Sequence, residues 1–169
     1  AAAWFNLVNL YDSHTGELKQ SLAGHIHHVF TVQFSQDGSM LVSGSFDYTV
    51  ILWDVASGSI LRELRGHTYV VSQVCFNADA SRIVSSSWDK TARIWDVSTG
   101  ECLLTLCGHQ GWIESCCFSE DGSKVITASY DKTVKVWDSY TGEELRTLRG
   151  HKGYVRSVSY RPSAAGSYI

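Results

Sequence analysis

Apolar residues fall in short runs along this chain, each closed by a polar turn. Val29-Phe30-Thr31-Val32-Gln33-Phe34 is rich in β-branched and aromatic side chains and ends at Gln36-Asp37-Gly38-Ser39, a turn composition. A second run, Met40 to Ser45, leads into the turn Phe46-Asp47-Tyr48. Thr49 to Trp53 follows, alternating Val50 and Leu52 inside a polar frame, and Ser57-Gly58 turns the chain into Ser59 to Leu64. Four short strands joined by tight turns predict an antiparallel meander. No segment carries the three- and four-residue spacing of a long amphipathic helix.

The pattern repeats. Gly-His stands at Gly24-His25, Gly66-His67, Gly108-His109 and Gly150-His151, each 42 residues after the one before. Trp53-Asp54, Trp95-Asp96 and Trp137-Asp138 keep that spacing, and Tyr11-Asp12 holds the same place in an earlier, degenerate copy. The chain therefore divides into a degenerate half-repeat over 1–23, full repeats over 24–65, 66–107 and 108–149, and the start of a further repeat over 150–169. One such meander leaves its two faces and two edges open, whereas sheets stacked radially cover one another's faces.

Gly-His, Ser-x-Asp and Trp-Asp on a period in the 40–45 residue range resemble the WD-repeat (Trp-Asp repeat) propellers, over nearly the whole chain. The resemblance implies an all-β fold, a β-propeller of four-stranded antiparallel blades with three full WD-repeat blades plus a split or partial fourth. Rings of this family commonly have about seven blades, or ~300 residues at this repeat length. An incomplete piece of a larger propeller is therefore expected; two chains completing one ring and a closed ring of four blades stay open. The N-terminal stub should supply third and fourth strands, with Ala3, Phe5 and Tyr11 at the Ser, Asp and Trp positions. The C-terminal stub should supply a first strand through Val155, Val158 and Tyr160, before Arg161-Pro162-Ser163-Ala164-Ala165-Gly166 replaces the usual turn.

His, Ser, Asp and Trp recur at fixed offsets: His25, Ser45, Asp47, Trp53; His67, Ser87, Asp89, Trp95; and His109, Ser129, Asp131, Trp137. Ser, His and Asp together suggest a hydrolytic triad. A triad is needed once, however, and here the set occurs three times, always with a Trp that no nucleophilic mechanism requires. A structural network accounts for all four residues: Asp accepts from the imidazole, the second ring nitrogen meets the hydroxyl, and the hydroxyl accepts the indole N–H. No catalytic residue, cofactor or metal is assigned, and the chain is expected not to be an enzyme.

Charge and cysteine usage narrow the class further. Net charge is −3, and no run of Lys or Arg offers phosphates a basic stripe, so direct nucleic-acid binding is not expected. No run reaches the roughly 18 apolar residues of a membrane span, so no membrane partner is expected either. Cys75, Cys102, Cys107, Cys116 and Cys117 form no Cys-x-x-Cys pair and read as small buried hydrophobes. That usage suits a reducing, intracellular compartment, cytoplasmic or nuclear.

The resemblance implies partner binding on the face carrying the turn between second and third strands. Phe46, Trp88 and Tyr130 precede the three network Asp residues, with Trp4 in the degenerate copy. His28, Trp112 and Tyr154, then Phe30, Glu114 and Arg156, occupy the approach to each first strand. Turn positions do not ordinarily call for Phe, Trp and Tyr in three copies of three, and Trp, Tyr and Arg dominate interface energetics. The expected function is a non-enzymatic protein–protein interaction scaffold or adaptor. The alternative is a propeller subunit of a larger trafficking or nucleic-acid-processing assembly, without chemistry of its own. An Arg two residues after Trp-Asp, as in ubiquitin-ligase substrate receptors of this type, is missing: Ala56, Ser98 and Tyr140 stand there.

Overall fold

A computed structural model describes residues 2–161, with side chains from Phe5 onward. The described residues form strands and turns in four antiparallel sheets. The first sheet has three strands, β1 (Ala2–Trp4), β2 (Leu7–Tyr11) and β3 (Leu18–Ala23). The second contains β4 (Val29–Phe34), β5 (Met40–Ser45), β6 (Val50–Asp54) and β7 (Ile60–Leu64). The third contains β8 (Val71–Phe76), β9 (Arg82–Ser87), β10 (Thr91–Asp96) and β11 (Cys102–Cys107). The fourth contains β12 (Ile113–Phe118), β13 (Lys124–Ser129), β14 (Val134–Asp138) and β15 (Glu144–Leu148). Each sheet is a plain meander, and each packs on the next in chain order, leaving the ring open.

Strand periodicity explains the stacking. Leu41, Ile51 and Trp53 share a buried cluster with Val8, Leu10 and Leu22 of the preceding sheet. Their neighbours Val42, Val50 and Leu52 join Val71, Val74, Ile83 and Trp95 of the following sheet. Successive side chains leave a strand on opposite faces, so each sheet is covered twice. The polar frame expected around Val50 and Leu52 is accordingly absent: Ile51 and Trp53 are buried as fully as they are. Each Trp-Asp tryptophan is 1% exposed, which contributes up to about 3 kcal/mol of transfer free energy apiece. The fourth strands lie outermost, and β7 is exposed except at Leu64.

The two stubs differ from expectation in detail. Ala2–Trp4 pairs with β2 through Trp4↔Leu7, so the N-terminal stub holds the end of a second strand besides the third and fourth. Residues 154–160 form no ladder with a described strand. They lie instead on the fourth sheet, where Val155 N–H donates to the Ser129 carbonyl and Val158 N–H to Ser115 Oγ, each at 3.1 Å. Residues 162–166 of the expected turn, and the Trp4 and Ala3 side chains, lie outside what is described. Cys116 is buried as expected, but Cys102 and Cys107 are exposed because they open and close the outermost strand β11.

Candidate functional site

The polar network forms in all three full copies, with a different hydroxyl from the one the sequence suggested. Trp53 Nε1 donates to Ser43 Oγ at 2.8 Å, Ser43 meets His25 Nε2 at 2.7 Å, and His25 Nδ1 meets Asp47 at 2.8 Å. Ser85 fills the same place between Trp95 and His67, at 2.8 Å from each, and Asp89 lies 2.7 Å from His67. In the third copy Thr127 stands 2.8 Å from both Trp137 and His109, with Asp131 at 2.6 Å. The reason lies in strand register. Trp53 pairs across the ladder with Leu41, so its diagonal neighbour on the same face is Ser43, while Ser45 is two residues further on. With the imidazole Nδ1–H donating to Asp, Nε2 is left to accept from the hydroxyl, which in turn accepts from the indole. Thr49, Thr91 and Thr133, unanticipated members, each donate their hydroxyl to the Asp of their own turn.

Burial pushes the Asp47 carboxyl up, but hydrogen bonds from His25 and Thr49 outweigh it and hold the group far below the usual carboxylate range. Asp89 behaves alike through His67 and Thr91, and Asp131 settles at about 2 against the same burial, through Thr133 and His109. At His109 burial is the larger influence and lowers the imidazole, opposed by Asp131. Ser43, Ser85 and Thr127 are 0% exposed. A nucleophile must reach its substrate, and these hydroxyls are sealed in the protein and already engaged on both sides.

Ser45, Ser87 and Ser129 do something else. Their hydroxyls donate to the carbonyls of His28, Tyr69 and Gly111, at 2.9–3.1 Å, and accept the N–H of Asp47, Asp89 and Asp131, at 3.0–3.1 Å. Phe46, Trp88 and Tyr130 also donate their backbone N–H to the carbonyls of His28, Val70 and Trp112. Each turn between second and third strands is thereby locked to the loop entering the first strand. The network fixes the loop, the serine fixes the turn, and the turn presents an aromatic ring.

Those rings meet across the sheets. Phe5 stacks on His28 at 5.0 Å, and His28 meets Phe46 edge-on at 6.2 Å. Phe30, Phe46 and Trp88 form a triangle with centroid separations of 5.5, 5.7 and 5.6 Å. Trp88 stacks on Trp112 at 4.7 Å, Trp112 tilts against Tyr130 at 5.6 Å, and Tyr130 stacks on Tyr154 at 4.4 Å. The result is one aromatic belt spanning the first sheet, the three full sheets and the C-terminal stub. Glu114 joins it by accepting the Trp88 indole N–H at 3.0 Å, and Arg156 is exposed two residues beyond Tyr154. Tyr69 packs against both Trp88 and Trp112, and Tyr48 against Tyr69. Sequence reasoning missed both tyrosines because they do not repeat: the positions equivalent to Tyr69 are His27 and Gly111, those equivalent to Tyr48 are Lys90 and Lys132.

The model of the WD domain, G-beta repeat family matches residues 16–54, 58–96, 100–138 and 142–169. The chain belongs to the WD-repeat family. Each of the first three matched stretches runs from the turn before a fourth strand to a Trp-Asp, so a WD repeat holds one blade's last strand and the next blade's first three. Hence His25, lying between β3 and β4, ties the first sheet to the second. No curated protein matches the chain. WD repeats generally build protein-interaction scaffolds, and proteins made of them are typically not enzymes.

Proposed function

We propose that this WD-repeat chain is a non-enzymatic scaffold that docks protein or peptide partners on the face bearing the aromatic belt. The observation that carries the reading is the belt's continuity: rings from four sheets and the C-terminal stub meet on one face. Its members stay partly open to solvent, with Phe30 45%, Trp112 39% and Tyr154 59% exposed. Large aromatics held rigidly by their neighbours, with one side wet, bind partners at little further entropic cost. His28, Phe30, Phe46, Trp88, Trp112, Tyr130 and Tyr154 supply apolar anchors in this reading, and Glu114 and Arg156 supply charge. Exposed free thiols at Cys102 and Cys107 suit a reducing intracellular compartment.

Trp88 is half-buried and touches four rings, so its loss would weaken the fold as well as binding. Trp112 is the cleaner probe. Quantitative pull-downs with wild type, Trp112→Ala and Glu63→Ala should show partners lost only from the Trp112 variant, each weakened by ~2 kcal/mol or more, about thirtyfold. Trp112 touches three rings and is 39% exposed, so Trp112→Ala should lower stability by about 2–3 kcal/mol, short of the ~3–5 kcal/mol of a fully buried aromatic. Retention of every partner by Trp112→Ala overturns the reading.

A further inference from the structure

The net charge of −3 conceals a strong division between the two ends of the sheets. At the end opposite the belt, the turns carry Asp37, Asp54, Asp79, Asp96, Asp121 and Asp138. Donors of their own turns hold each of these carboxyls below the usual range, so all are ionised at neutral pH. The belt end is different. Its three turn aspartates, Asp47, Asp89 and Asp131, are directed inward to their histidines, and Glu114 is engaged by the Trp88 indole. Glu63 and Arg65 pair with each other at 2.5 Å.

Cations remain on the belt face. Lys90 stands two residues after Trp88 and Lys132 two after Tyr130, both exposed at the left-handed positions of their turns, with φ of 73° and 70°. Lys152 and Arg156 flank Tyr154 on either side and are exposed too. Four positive residues thus stand two positions from a ring of the Trp88–Trp112 or Tyr130–Tyr154 stack.

Building on the docking reading above, we infer that the occupant of this face is an acidic peptide segment carrying aromatic or branched apolar anchors. Its anchors meet the ring edges, and its carboxylates meet Lys90, Lys132, Lys152 and Arg156. The acidic far end repels the same segment and so directs it to the belt. Single-stranded nucleic acid fits less well. It needs open ring faces for its bases, and here Trp88 and Tyr130 stack face to face with Trp112 and Tyr154 at interplanar angles of 10° and 5°.

Fluorescence anisotropy with three short labelled peptides tests the inference. All share Trp and Leu anchors and differ in flanking residues, which are Glu, Gln or Lys; a short single-stranded DNA is the fourth probe. The Glu peptide should bind tightest and the Lys peptide weakest, with the gap closing as salt is raised. Lys90→Glu/Lys132→Glu should weaken the Glu peptide about tenfold at low salt while leaving the Gln peptide nearly unchanged. Circular dichroism should show that variant folded, since both lysines are exposed. Trp112→Ala should weaken the Glu and Gln peptides alike. Equal binding of the Glu and Gln peptides, or tighter binding of the Lys peptide, overturns the acidic assignment and leaves the docking reading standing. Tighter binding of the DNA than of the Glu peptide, sensitive to the lysine changes, overturns it in favour of nucleic acid. No binding by any peptide, with Trp112→Ala indistinguishable from wild type in pull-downs, overturns both.

Discussion

Replacing Asp89 by Ala removes the acceptor that four donors share. Asp89 Oδ2 accepts from His67 Nδ1 at 2.7 Å and from the Thr68 N–H at 3.1 Å. Oδ1 accepts the Thr91 hydroxyl at 2.7 Å and the Thr91 N–H at 2.8 Å. The His67 side chain is 1% exposed, so water cannot replace the lost partner at its ring nitrogen. That one loss costs ~1.5–3 kcal/mol, the range for a hydrogen bond to a charged group. Thr68 is exposed and Thr91 partly so, and their donors can turn to water at small further cost. The expected total is therefore about 2–4 kcal/mol, or a fall in melting temperature of roughly 5–15 °C for a chain of this size. Asp79 is the matched control, since it too accepts from a hydroxyl and an N–H, both of Ser81, but in an exposed turn. Asp79→Ala should cost no more than about 0.5 kcal/mol. Urea unfolding of both variants beside wild type decides the matter. Equal losses would refute the claim that burial and the His67 contact, rather than turn hydrogen bonding, give Asp89 its weight.

Two further outcomes follow from the same network. Asp47, Asp89 and Asp131 have folded values below the unfolded value of about 3.9, so the unfolded chain takes up protons first as the pH falls. Stability should be complete with respect to these groups above about pH 5 and drain away as the pH drops through the folded values; His109, lowered by burial, adds a loss beginning below about pH 6.5. A urea midpoint unchanged between about pH 7 and pH 3 would contradict this sign. Ser85→Ala should leave the Trp95 indole and His67 Nε2 unpaired in a dry site, costing ~2–3 kcal/mol, while Ser85→Thr should be tolerated, as Thr127 already serves the third copy. Ser87→Ala should cost less, because it loosens a turn without opening the network; a larger loss from Ser87→Ala than from Ser85→Ala would reverse the assignment of the two serines.

Much of this molecule was legible along the chain because repetition multiplies weak local signals. The spacing of 42 residues, the four strands of each period, their antiparallel order and the family they belong to all follow from residue type and position alone. His25, Asp47 and Trp53, with their counterparts, were identifiable as partners for the same reason. Their shared hydroxyl was not, since Ser43 and Ser45 lie on the same face of β5 and only the ladder register places the first diagonal to Trp53. Tertiary packing alone decided what happens between blades. Rings as far apart in sequence as Trp88 and Trp112 become stacked neighbours because one blade's turn lies against the next blade's first strand. Tyr69 and Tyr48 join them although neither repeats. Periodicity specifies what each blade contributes to itself; the chemistry of the shared face depends on which side chains the stacking brings edge to edge, and no local pattern records that.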